Sequence, residues 1–194
     1  MTKTTRRVLE LGVGLGLALT IVLTAFADWQ QRTAAQVRAE TIRLHILANS
    51  DTLDDQLLKL RVRDAVLAAL PEAVREAETP QQAADALTYA LPALQQAADT
   101  ALHAAHSPQT AAVRMERWRF PARRYENFTL PAGEYTALRI ELGTAQGRNW
   151  FCVLYPALCV AGTTAEYPTE GENAMVFGRF EVRIAAIEFI KHLK

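Results

Sequence analysis

The hydrophobic positions of this chain fall into blocks of different period. An apolar run from Val8 to Ala27, broken only by Glu10, follows Lys3, Arg6 and Arg7. From Thr41 to Ala48 apolar and polar residues alternate, Ile42, Leu44 and Ile46 on one side and Arg43 and His45 on the other, which predicts a half-buried strand. Leu53 to Leu70 changes to helical spacing through Leu53, Leu57, Leu60, Val66 and Leu70, with Asp54 and Asp55 where the helix dipole favours acids. Pro71 then starts a new short turn. Thr79-Pro80-Gln81-Gln82 predicts a second helix start, with Thr79 as N-cap, Pro80 first inside and Gln82 closing a capping box. That helix is expected to reach about Ala105, with Pro92 marking a kink or a break. Alternation returns over residues 113–120 and 134–142, and 149–155 is a nearly continuous apolar run. Gly143 and Gly147 bracket the last connection, so the final two strands are expected to form a hairpin. Residues 161–174 read as a loop, and Phe180, Ile184, Ile187 and Ile190 predict a docking helix over 180–193. Strands and helices in separate clusters predict an α+β fold: a small, mainly antiparallel sheet with helices packed on one face, behind an N-terminal signal or anchor helix.

The opening run sets the expected compartment. A basic start, an apolar stretch and Ala25-Phe26-Ala27 before Asp28 have the layout of a signal peptide cut after Ala27. The uncharged stretch from Leu11 to Ala27 has 17 residues, the lower limit for crossing a bilayer, so a retained signal anchor is the alternative. The positive flank holds the N-terminus inside and sends the rest across. The expected layout is therefore 1–27 signal peptide or signal anchor, 28–40 tether, either mobile or a short helix, and 41–194 a single domain. If uncleaved, residues 8–27 contact the membrane.

Composition narrows the function. With 21 basic and 21 acidic residues among 194, the chain has no net charge, which argues against nucleic acid as a partner. Half of the residues are hydrophobic, which excludes a disordered chain. The chain has no GxSxG, P-loop, GxGxxG or HExxH motif, and no cofactor is expected.

Three groups of residues are candidates for chemistry. The segment from His45 to Asp51 joins a strand to a helix: His45 could serve as a base oriented by Asp51, or the helix start could bind an anion. The simpler reading of Asn49, Ser50, Asp51 and Thr52 is helix capping. Cys152 and Cys159, with Pro156 between them, form a disulfide or remain two buried thiols; a nucleophile at either one with His45 as base is the enzyme alternative. His103 and His106 lack a third ligand, so no metal is expected and their charge suits a helix end. Lys59, Arg61 and Arg63 read as a solvated face, whereas Arg123 and Arg124 beside Tyr125 and Phe128 suit a protein partner.

The blocks IRLHILANSD (42–51), DQLLKLRVRDAV (55–66), LPAGEYTALRIELG (130–143) and NWFCVLYPALC (149–159) together resemble the stage II sporulation protein R family. The resemblance implies a signalling protein without catalytic residues, made in the forespore and exported into the space between the forespore and mother-cell membranes. It also implies a partner: a membrane-embedded aspartic protease of the mother cell that matures the pro-form of sigma-E. The expected contact residues are His45, Asn49, Ser50 and Asp51, then Trp150. The alternatives are an exported Cys/His hydrolase and a structural protein of the spore envelope.

Overall fold

A computed structural model describes residues 2–125, 128–157 and 175–176. The predicted loop at 161–174, the helix at 180–193 and Cys159 lie outside the described residues. A 37-residue helix, α1 (Lys3–Ala39), begins the fold. Among the described residues it is the one helix long and apolar enough to cross a membrane, and none of its apolar stretch is buried. That fits a signal peptide or an anchor. Inside the stretch, the Thr20 and Thr24 hydroxyls donate 2.9 Å bonds to the carbonyls of Gly16 and Thr20, so neither presents an unbonded donor to lipid. Glu10 accepts from Arg6 at 2.8 Å and stays at the basic end. Residues 28–39 continue the same helix, and its last turns bury Thr33 and Val37.

The domain consists of β1 (Ile42–Leu47), α2 (Leu53–Ala68), α3 (Glu72–Arg75), α4 (Pro80–Ala104), β2 (Ala111–Phe120), β3 (Arg123–Arg124), β4 (Thr129–Leu130), β5 (Gly133–Leu142) and β6 (Asn149–Tyr155). The main sheet has the order β2-β5-β1-β6 and is mixed: β1 runs parallel to β5 and antiparallel to β6, and β2 is antiparallel to β5. Strands β3 and β4 form a separate ribbon.

The expected hairpin of β5 and β6 does not form, because β1 lies between them. The glycine signals mark a real reversal of direction, but the 143–148 connection arches over the end of β1 instead of closing a two-strand turn. Gly147 N–H donates to the Ala48 carbonyl at 2.8 Å, and Gln146 N–H donates to the Asn49 carbonyl at 3.2 Å. A Cβ on Gly147 would fall onto the Ser50 carbonyl oxygen, so only glycine permits this approach.

Helices α2, α3 and α4 cover one face of the sheet. Ile42, Leu44 and Ile46 of β1 and Leu138, Ile140 and Leu142 of β5 meet Leu58, Val62 and Val66 of α2 and Leu87, Leu94, Ala98 and Leu102 of α4. Each fully buried Leu, Ile or Val contributes about 1.5–3 kcal/mol. The stripe read for α2 is rotated: Leu53 and Leu57 are exposed, and the row Leu58, Val62, Val66 faces the sheet. Thr52 caps α2 by accepting from Asp55 N–H, and the Thr79–Gln82 capping box is complete. Helix α4 continues through Pro92 without a break.

The end of α4 explains His106. Ser107 N–H donates to the Leu102 carbonyl at 3.0 Å and His106 N–H donates to the His103 carbonyl at 2.9 Å, the two bonds of a Schellman cap. Such a cap needs a left-handed residue, and His106 takes that role at φ 52°. Replacing His106 with glycine should therefore stabilise the protein by about 0.5–1 kcal/mol, measured as a raised urea midpoint at unchanged slope. Gly147→Ala should do the opposite, by about 1–3 kcal/mol.

Candidate functional site

The strand alternation is not that of a half-buried sheet, because β1 is buried on both sides: Arg43 is 0% and His45 3% exposed. Both lie on the face away from α2–α4. There the Arg43 guanidinium sits 4.1 Å from the ring centre of Phe120, 5.0 Å from Tyr135 and 5.7 Å from Phe151. Its Nη2 donates to the Tyr125 hydroxyl at 2.9 Å. Aromatic faces carry negative charge density, so three rings partly replace the water that the cation loses. Burial pushes the Tyr135 phenol up to about 12, and its hydroxyl donates to the Pro131 carbonyl.

His45 stacks on Phe151 at 4.7 Å and meets the Phe120 ring edge-on at 5.5 Å. No described residue meets either ring nitrogen at full hydrogen-bond geometry, and a polar contact with Asn149 works against the shift. Burial first, then Arg139 and Arg43, lowers its pKa from 6.5 to about 4. The imidazole is therefore neutral at physiological pH, and no described acid meets its ring nitrogens at hydrogen-bond geometry.

Beyond His45 the face opens into a charged ladder. Arg139 lies 3.7 Å from the Trp118 ring centre and pairs with Glu116 at 2.9 Å and Glu141 at 2.6 Å. Arg114 joins both acids, at 3.4 and 2.8 Å. Hydrogen bonds from Arg139 and the charge of Arg114 draw the Glu116 carboxyl below its usual pKa against the opposing cost of burial. Arg123 covers Phe151 from outside at 4.8 Å. On the same side Val37 of α1 packs with Leu130 and Val153, so the anchor helix ends as part of this layer.

The predicted contact residues do not form one surface. Trp150 opposes Ile46 and points to the helix face, where Arg63 stacks on it at 5.1 Å, whereas His45 opposes Phe151 on the other side. Asn49, Ser50 and Asp51 are used internally. Asn49 accepts from Thr144 N–H and donates to Asp55, both at 2.9 Å. The Ser50 hydroxyl also donates to Asp55, while Asp51 accepts from Arg148 N–H at 2.7 Å. Capping thus belongs to Thr52 alone, and the three residues before it tie the 143–148 arch to the start of α2. Bonds from Ser50 and then Asn49 hold the Asp55 carboxyl below the usual range. Lys59, drawn down by burial, crosses underneath and donates to the Arg148 carbonyl at 2.8 Å.

Among the described residues, Cys152 is not set against His45, and Cys159 lies outside them. Cys152 pairs in register with Leu44 on the opposite side of the sheet from His45, and it is disulfide-bonded. Among the described residues no three His, Cys, Asp or Glu side chains converge on a point.

Sequence reasoning missed Arg43, Arg139, Glu116, Trp118 and Phe151 as a unit. The signal was present in the alternate positions of four strands, but reading it requires the strand order.

A polar-aromatic sheet face backed by helices, with the end of an apolar N-terminal helix docked to it, defines an α+β domain behind a helix that fits a signal or an anchor. The chain belongs to the stage II sporulation protein R family, whose family model matches residues 38–165. Over 120 residues it is 38% identical to Stage II sporulation protein R of Bacillus subtilis (strain 168), covering 62% of this chain and 54% of that protein. The match thus spans about half the length of the curated relative. No solved structure matches the chain at a significant level.

The buried cation and imidazole each give an expected outcome. Arg43→Lys replaces a flat, weakly hydrated cation with a strongly hydrated one that cannot stack, and should lower stability by about 1–3 kcal/mol in denaturant titration. For His45, whose pKa falls on folding, the unfolded chain binds a proton that the folded chain does not between pH 6.5 and about 4. Stability should therefore fall as pH drops through that window, and His45→Phe should flatten the slope.

Proposed function

We propose that this chain is an exported signal of endospore formation. It would be made in the forespore and delivered by α1 into the space between the two membranes. There it would activate a membrane-embedded aspartic protease of the mother cell, which processes the pro-form of sigma-E. Family membership over residues 38–165 carries this reading. The geometry supports it in two ways: Arg139 is locked between Glu116 and Glu141 on the sheet face and presents a fixed charge pattern there, and His45 is buried and neutral among rings. The mechanism is binding. A ligand activates a protease only to the extent that it prefers the active state, and tenfold preference corresponds to about 1.4 kcal/mol.

The test is processing of the pro-sigma factor in sporulating cells. Deleting the chain should stop processing, and forespore expression of residues 28–194, lacking the apolar leader, should fail to restore it. Restoration by that leaderless chain would overturn the export reading. Asn49→Ala, Asp51→Ala and Trp150→Ala, scored alongside with export and abundance checked, should act through folding for Asn49, whose loss removes bonds to both Thr144 and Asp55.

A further inference from the structure

Among the described residues strand β2 is an edge of the main sheet for all ten of its residues. Its register fixes which backbone groups face outward. Thr110 O accepts from Gly143 N–H, so the even-numbered positions bond to β5 and the odd-numbered ones point away from it. At the start of the strand those outward groups are occupied. The Gln95 side-chain amide of α4 donates to Ala111 O at 3.0 Å and accepts from Val113 N–H at 3.0 Å, as the peptide group of a neighbouring strand would. Beyond Val113 this substitute ends. The outward N–H and C=O groups of Met115, Arg117 and Arg119 have no partner among the described residues, and neither proline nor a register shift interrupts the strand there. Natural edges are usually blunted by such devices, and a long regular one is a template for another strand.

The side chains around this open stretch specify its complement. Arg117 and Arg119 are exposed, against the exposed acid Glu134, which pairs loosely with Arg117 at 3.6 Å. Trp118, 38% exposed and backed by Arg139, stands on the other face of the same rungs. A second copy of this chain is a poor occupant. Antiparallel pairing of two β2 strands about Arg117 would set arginine opposite arginine, and like charges directly opposite are destabilising.

We infer that the Met115–Arg119 edge of β2 captures an extended, acidic segment of a protein partner by adding it to the sheet as a fifth strand. Backbone bonds to residues 115, 117 and 119 supply the register. Arg117 and Arg119 select carboxylates, and Trp118 gives an apolar contact on the opposite face. This deepens the proposed function and rests on it for where the partner is found.

The experiment uses the full chain in sporulating cells, with pro-sigma processing as readout and export, abundance and thermal unfolding of the purified chain as controls. Arg117→Pro removes an outward N–H while leaving the bonds to β5 in place, the position where an edge strand tolerates proline. Arg117→Gln combined with Arg119→Gln removes charge without touching the backbone and decides the matter should the proline variant not fold. Both folded variants should lower processing about tenfold or more, the effect of losing a single well-formed contact of about 1.4 kcal/mol. Wild-type processing in both, in cells where deletion of the chain abolishes it, would overturn the edge inference and leave the proposed function standing. Processing that persists after deletion would overturn both. Loss with proline but not with the double Gln variant would overturn the acidic class of partner. A dimer cross-linked through Arg117→Cys in the purified chain would overturn it in favour of a second copy.

Discussion

A guanidinium with no exposure to water is the constraint on which this fold depends. Moving such a charge out of water costs several kcal/mol even after relaxation, and an uncompensated one would unfold a domain whose whole stability is about 5–15 kcal/mol. The compensation for Arg43 comes from Phe120 on β2, Tyr135 on β5, Phe151 on β6 and the Tyr125 hydroxyl beyond β3. No two adjacent strands supply it alone. Three strands must stand in the right register around β1 before the charge is tolerable, so a side chain that would weaken a partly assembled sheet favours only the complete one.

The other end of β1 is held by a different interaction with the same result. Asn49, Ser50 and Asp51 reach Thr144, Asp55 and Arg148 and fasten the arch between β5 and β6 over the strand's end. Without β1 beneath it, that arch would close as an ordinary hairpin. The cation–aromatic stack excludes the simpler topology from below, and the polar knot excludes it from above.

The same two interactions separate the features legible in the residues from those that were not. Thr79-Pro80 with Gln82, and Thr52 before Asp54 and Asp55, fix both long helices because capping is a local interaction within four residues. Strands β1, β2 and β5 were visible by alternation and β6 as an apolar run, and with them the α+β class, whereas the two-residue β3 and β4 were not visible. Strand order was not visible: Gly143 and Gly147 report a reversal, not the strand inserted between its arms. Arg43 and His45 read as solvent-facing because polar residues usually are, and the rings that bury them stand 75 or more positions away, Tyr125 being 82 from Arg43. The relative placement of the expected contacts, His45, Asn49, Ser50 and Asp51, then Trp150, was equally hidden. His45 and Trp150 lie on neighbouring strands one register step apart, and because a strand sends successive side chains to opposite faces they end up on different sides of the sheet.

The helix that carries the domain is part of its packing, and this bears on how it could be released. Val37 is fully buried with Leu130 and Val153, and Arg38 lies against Gly133 and donates to the Ala132 carbonyl at 3.3 Å. A side chain on Gly133 would displace that arginine, so the start of β5 and the end of α1 are shaped to each other. The family match begins at Arg38, inside the docked turns and not at β1. The first buried residue of α1 is Thr33, six positions beyond Ala27, and nothing before it is buried in the domain. Cutting after Ala27 would therefore leave every domain contact in place, and retaining the helix would hold the domain on a stiff stalk of about 15 Å between Ala27 and Val37 at 1.5 Å per residue. The same docked turns serve a released domain and an anchored one, so the choice between them is made by the leader's own residues and not by the stability of the domain.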